Sequence, residues 1–262
     1  MDNKIELYEP STKEVELYLR LWNYMENYVN QEHALNKLFF RLCKRKDNLE
    51  DVLIKCSTLN DFYSTNIFNI HAVAKHILEL IIDNQLDEGD PTVVEDIAHV
   101  RVGEIKEERF FYSFATRYCS HHQSMKFAIY DNYVDKVLRH LNKRDKFISL
   151  AANDLKCYPL YLQAIKAFQK KYGLEQYNLK QMDQYLWQLG KHFFNPYSAS
   201  NDTEKNKIAL KYTIEHGYDS IRPAGERNGY KYFNYYNVSN LGRKTGMPKF
   251  VKIDNNGNCI DI

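Results

Sequence analysis

Apolar residues recur at three- and four-residue spacing through most of this chain, the period of helices with one buried face. The clearest run is Phe110 to Leu141. Phe110, Phe111, Phe114, Ala115 and Tyr118 predict a mostly apolar helix, and Ser120 to Lys126 a polar loop that ends it. Phe127-Ala128-Ile129-Tyr130 is a short apolar lead-in. Asp131 follows at the position of an N-cap, where a side-chain oxygen accepts the free N–H groups of a helix start. Val134, Val137, Leu138 and Leu141 then fall on one face of a second helix.

Upstream, Ser11 or Thr12 caps a first helix with the stripe Val15, Tyr18, Leu19, Trp22, Met25 and Tyr28 or Val29, and Glu14 in its first turn. A second helix turns Leu35, Leu38, Phe39 and Leu42 inward and ends at Lys44-Arg45-Lys46. Leu49 to Asn66 reads as two short helical pieces, and Ile67 to Ile82 as one longer helix. Asp90-Pro91 opens another, to about His99. Downstream come helices from Asp145 to about Leu155, from Pro159 to Tyr172 with Gly173 as C-cap, and from Leu179 to Phe194 behind the cap Asn178. From Asn195 the composition turns linker-like, with a short helix up to His216-Gly217. Tyr230 to Tyr236 and Pro248 to Ile253 then read as strands, with Asn255-Asn256-Gly257-Asn258 a hairpin turn. The expected fold is mainly α: a multi-helical domain over residues 1–195, and a linker with a small C-terminal β appendage over 196–262.

Composition narrows the picture. The 262 residues can bury a substantial core, and 27% charged residues with plentiful apolar ones exclude a disordered chain. A net charge of +2 implies no polyanionic partner by itself, but Arg101 to Lys146 carries ten Lys/Arg against six Asp/Glu, a local +4. Cys43, Cys56, Cys119, Cys157 and Cys259 are scattered without a CxxC pair, which suits reduced thiols and supports neither zinc nor an iron–sulfur cluster. His121-His122 are adjacent, so their side chains diverge, and no third ligand is near in sequence. No metal and no cofactor are expected. The N-terminus MDNKIELYEP is polar and no apolar run approaches about 20 residues, so the expectation is a cytoplasmic protein without membrane contact.

FAIYDNYVDKVLRH resembles the stretch around the catalytic aspartate of the helix-hairpin-helix DNA glycosylase superfamily, which includes the adenine and 8-oxoguanine DNA glycosylases. Leu59-Asn60-Asp61-Phe62-Tyr63-Ser64-Thr65-Asn66-Ile67 resembles the polar turn with which those enzymes probe the minor groove. The resemblance covers residues 50 to 145 or so. It implies a DNA-glycosylase-like helical domain, duplex DNA as partner, Asp131 as the catalytic carboxylate, and Ser64, Thr65 and Asn66 as wedge or orphan-base contacts. It also places a phosphate-binding, Gly-rich turn at Arg101-Val102-Gly103-Glu104. Gly103 and the basic residues Arg101, Lys106, Arg117, Lys126 and Lys136 complete the DNA-binding candidates. The chain departs from the family pattern twice. The turn has one glycine rather than two, with Ile105 to Arg109 as extra residues. The lysine of the bifunctional members would fall near Tyr112, and no lysine lies between Glu107 and Gln123, so the implied activity is monofunctional.

Hydrolysis of an N-glycosidic bond builds positive charge on the sugar, which a placed carboxylate stabilises, and the base must first leave the stack. Asp131 has the right type for that role, yet aspartate is also among the best N-caps in any protein. Ser64-Thr65-Asn66 suits helix capping as well as DNA probing, and Arg117 suits an internal pair as well as a phosphate. Two other functions therefore stand beside base excision: a non-catalytic nucleic-acid-binding module of the same fold, and a helical protein-interaction domain. The Tyr-rich appendage offers rings on which bases could stack, or ordinary sheet tyrosines.

Overall fold

The computed structural model describes residues 7, 9–23, 25–45, 47–102, 107–194, 201–218, 220–238 and 244–262. In chain order its helices are α1 (Thr12–Trp22), α2 (Glu26–Lys37), α3 (Leu49–Phe62), α4 (Ile70–Glu79), α5 (Asp83–Glu88) and α6 (Val93–Ala98). A two-stranded ribbon follows, β1 (His99–Val102) and β2 (Glu107–Phe110), then α7 (Tyr112–His122), α8 (Asn132–Asp145), α9 (Tyr158–Tyr172), α10 (Leu179–Phe194) and α11 (Asn201–Glu215). Strands β3 (Ser220–Arg227), β4 (Tyr230–Val238), β5 (Lys244–Ile253) and β6 (Cys259–Asp261) close the chain as one antiparallel sheet in sequential order. The protein is mostly helical with a small C-terminal sheet.

Contacts divide the chain into two units, residues 26–183 and residues 1–25 with 184–262. The boundary lies inside α10 rather than at residue 195. In the second unit, Glu14 of α1 is buried and accepts from the Tyr185 hydroxyl at 2.7 Å, and Gln188 donates to Tyr18 O at 2.9 Å. The first helix and the end of α10 are thus tied by buried polar contacts. A linear search for linkers cannot see such long-range pairs. In the same unit α11 supplies Ala209 to a core with Phe233, Tyr235, Val251 and Ile253 of the sheet. Strand β3 has no counterpart among the elements expected from the sequence. Its turn into β4 is Asn228-Gly229, both at positive φ (55° and 78°), the pair favoured in tight hairpins.

Unit 26–183 is built around α7, where Phe114, Ala115, Tyr118 and Cys119 are all buried. Several sequence expectations change here. The first helix stops at Trp22, and α2 begins afresh at Glu26. Helix α2 runs into a π-turn over Leu38–Leu42, closed by Cys43 N–H on Leu38 O at 2.8 Å. One extra residue in a turn rotates the residues beyond it by about 100°. Leu38 and Phe39 therefore stay buried while Leu42 is 64% exposed, not inward as its spacing suggests. Leu49–Phe62 is one helix, not two pieces, started by Asn48, whose side chain accepts from Asp51 N at 2.8 Å. The segment after Asp145 is not a helix. Lys146 takes φ of 51°, and the Asn142 side chain both accepts from Ile148 N and donates to Ile148 O, turning the chain back. Only a 3-10 turn at Asp154–Lys156 precedes α9. Among the described residues no helix is long and apolar enough to cross a membrane.

The π-turn yields a direct comparison. Leu38→Ala should cost ~2–5 kcal/mol, the usual range for a buried leucine, and Leu42→Ala under ~0.5 kcal/mol. Urea unfolding of both variants measures this, and equal losses would contradict the rotated turn.

Candidate functional site

Residues 127–131 form neither helix nor strand, yet Phe127, Ala128 and Tyr130 are buried. Buried backbone groups outside regular structure need side-chain partners. Helix α9 provides two: the Tyr158 hydroxyl donates to Ala128 O at 3.1 Å and the Tyr161 hydroxyl to Ile129 O at 2.6 Å. Ile129 N donates to Asp183 Oδ2 at 3.0 Å, and Tyr130 N donates to Thr116 Oγ1 of α7 at 3.1 Å. Tyr130 O accepts from Ser113 Oγ and from Arg117 Nη1, each at 3.3 Å. This clamp sets where α8 begins and hence where Asp131 points.

Asp131 is the N-cap of α8, as its position predicts. Its Oδ1 accepts from Tyr133 N at 2.8 Å. Its Oδ2 pairs with Arg117 Nη2 at 3.0 Å, the two side chains being 19% and 6% exposed. Arg117 also donates to Ser113 O at 2.8 Å and to the Ser113 hydroxyl, and its guanidinium lies 4.7 Å from the centre of the Tyr63 ring. Its Nε is buried and has no partner among the described residues. The Tyr63 hydroxyl bonds in turn to His121 Nε2 at 2.8 Å. His121 and His122 are not loop residues, as the polar stretch suggested, but the last turn of α7, His121 buried and His122 half-buried. Burial pushes both imidazoles down to about 3.

Asp131, Arg117, Ser113 and Tyr63 line a cleft of about 420 Å³. Aromatic rings of Phe110, Tyr112 and Tyr130 form much of its wall, with Tyr112 stacked on Phe110 at 12°. Ser64 and Thr65 lie along it beside Asn132, Arg117 and Asp131. Their loop is pinned by one side chain: Asn60 Oδ1 accepts from Thr65 Oγ1 at 2.7 Å and Ile67 N at 2.9 Å, while its Nδ2 donates to Ile67 O at 3.1 Å.

Ser64, Thr65, Arg117 and Asp131 therefore converge. Among the described residues, the other candidates Asn66, Arg101, Lys126 and Lys136 do not line the cleft. Asn66 is exposed at φ 55° in the same loop. Lys126 packs its stem against Gly89 and donates to Asp87 O, a turn buttress rather than a free phosphate contact. Lys136 is exposed on α8 with its ammonium 5.9 Å from the Tyr133 ring. Gly103 and Lys106 lie outside the described residues. Around them the expected turn between helices is replaced by the β1–β2 ribbon, which pairs Arg101 with Glu108 and Val102 with Glu107. Alternating Val100 and Val102 favour extended pairing, and the two glutamates oppose a phosphate grip. Arg117 is committed to Asp131 rather than to a phosphate. Lys156 lines the cleft although no local pattern singled it out, because only the fold brings the turn before α9 to this place. No group of three or more His, Cys, Asp or Glu able to hold a metal is found among the described residues.

A family model described as HI_0787_N, N-terminal domain, matches residues 14–126, which takes in the Ser64–Thr65 loop and Arg117 and stops short of Asp131. A Haemophilus influenzae protein described as uncharacterized is 46% identical over 147 residues, or 56% of this chain and 69% of that one. This chain belongs to the same family as that protein. No solved structure matches.

His121 and His122 make a pH prediction. In the unfolded chain each titrates near 6.5. Below that pH the unfolded state takes up protons that the folded state refuses until about 3, so stability present above pH 6.5 is lost as pH falls through that window. Each histidine adds a slope of up to ~1.4 kcal/mol per pH unit. His121→Gln keeps a partner for the Tyr63 hydroxyl and removes one titration. Its urea midpoint should fall less between pH 7 and pH 5 than that of wild type, and an equal fall would contradict the buried neutral imidazole.

Proposed function

We propose that unit 26–183 binds nucleic acid, takes an unstacked base into the cleft and hydrolyses its N-glycosidic bond at Asp131 without cutting the strand. The observation behind this reading is the convergence of Ser64, Thr65, Arg117 and Asp131, from distant parts of the sequence, in one aromatic-walled cleft. A volume of about 420 Å³ is in the range of small-molecule sites, and aromatic walls suit a planar heterocycle. Asp131 offers a carboxylate on which a developing oxocarbenium charge is stabilised. By the resemblance a lyase lysine would fall near Tyr112, and no lysine lies between Glu107 and Gln123. Lys156 on the cleft makes the strand-cutting question testable: borohydride should trap no protein–DNA adduct, and a trapped band lost in Lys156→Ala would overturn the monofunctional reading.

One observation favours a second reading, a base-binding module without turnover. Arg117 holds Oδ2 of Asp131 at 3.0 Å, and its positive charge offsets the carboxylate on which an oxocarbenium would depend.

Asp131→Asn separates the two. Asparagine keeps the cap on Tyr133 N but leaves Arg117 without its counter-charge, so a stability loss of about 1–3 kcal/mol is expected. Under the catalytic reading wild type releases a base from at least one duplex in a panel of modified bases, and the variant does so ~10²–10³ times more slowly. Release from none, with salt-sensitive duplex binding intact, would leave the binding module. Absence of binding at low salt would sink both.

A further inference from the structure

We infer that Asp183 is a positioning residue of this cleft, holding through Ile129 the segment that carries Asp131. The inference rests on the cleft being the functional site. Asp183 is buried, its Oδ2 accepts from Ile129 N at 3.0 Å, and its Oδ1 is buried with no partner among the described residues. Two residues beyond Ile129 the chain reaches Asp131. No helix or sheet hydrogen bond is available to the Ile129 N–H, so removing Asp183 leaves it buried and unpaired.

The surroundings define the state of the carboxyl. Lys180 on its own helix, Arg117 of α7, Asp131 and the tyrosines Tyr158, Tyr161 and Tyr63 lie near enough to act on it electrostatically. Burial outweighs the two cations and pushes the carboxyl up to about 8, so it is neutral at pH 7. A neutral acid accepting one backbone N–H has nearly the shape of an asparagine amide, whose oxygen can accept the same bond. The role is therefore one of geometry, and asparagine should fill it while alanine should not.

The test needs no ligand. Amide exchange at Ile129 and the carboxyl carbon resonance of Asp131 are read by NMR in wild type, Asp183→Asn and Asp183→Ala at pH 6.5. Expected are exchange at Ile129 faster by about tenfold or more in the alanine variant, a shifted Asp131 resonance, and rescue of both by asparagine. Uniform loss of protection across the unit, or an asparagine variant as perturbed as the alanine one, would overturn the assignment. Should the alanine variant not fold, titration of wild type decides. The Asp183 carboxyl carbon should titrate on the alkaline side of pH 7 and carry the Ile129 and Asp131 resonances with it. A titration that leaves them still would overturn it. Duplex binding by the same variants is a separate arm: if wild type binds no duplex, the base-binding reading fails while the positioning result stands.

Discussion

A buried stretch of backbone that belongs to no helix or sheet must find its hydrogen bonds among side chains, and residues 127–131 are such a stretch. Helices α7 and α9 and the start of α10 all direct polar side chains at it. Two of those side chains are tyrosines whose rings sit in the core while their hydroxyls meet main-chain carbonyls, the arrangement in which a buried tyrosine leaves no polar atom unpaired. With the segment held from three helices, the start of α8 and the direction of Asp131 are no longer adjustable.

Electrostatics then fills in the cleft. A guanidinium as enclosed as that of Arg117 is tolerated because it is paired and hydrogen-bonded, and loss of its counter-charge costs about 1–3 kcal/mol. Tyr63 covers one face of that guanidinium and ties it to His121, itself neutral within the core. The charged groups of the site are one carboxylate, one buried guanidinium paired with it, and Lys156, which leaves a single excess positive charge. One excess positive charge suits a polar ligand carrying modest negative charge.

Much of this was legible before the structure. Asp131 and its helix stripe, Asn178 as a cap and Gly173 as a stop, and the strands from Tyr230 and Pro248 all follow from local chemistry. What was not legible depends on partners distant in sequence. Tyr158 and Tyr161 look like core residues until their hydroxyls are seen on 128 and 129. The inserted residue at Leu38–Leu42 breaks a spacing argument that assumes a regular helix. His121 looks like loop polarity until Tyr63, 58 residues away, is placed against it. The ribbon of His99–Val102 and Glu107–Phe110 stands where a turn between helices was expected, because alternating valines pair as strands more readily than they wind.

Under the proposed function an unstacked base occupies the cleft beside Asp131. Backbone NMR during titration with a short duplex carrying one modified base tests it most directly. Shifts at low salt should concentrate on Tyr63 to Thr65, Phe111 to Arg117 and Tyr130 to Asn132. Shifts confined to other surfaces of the protein, or none at any duplex concentration, would contradict it.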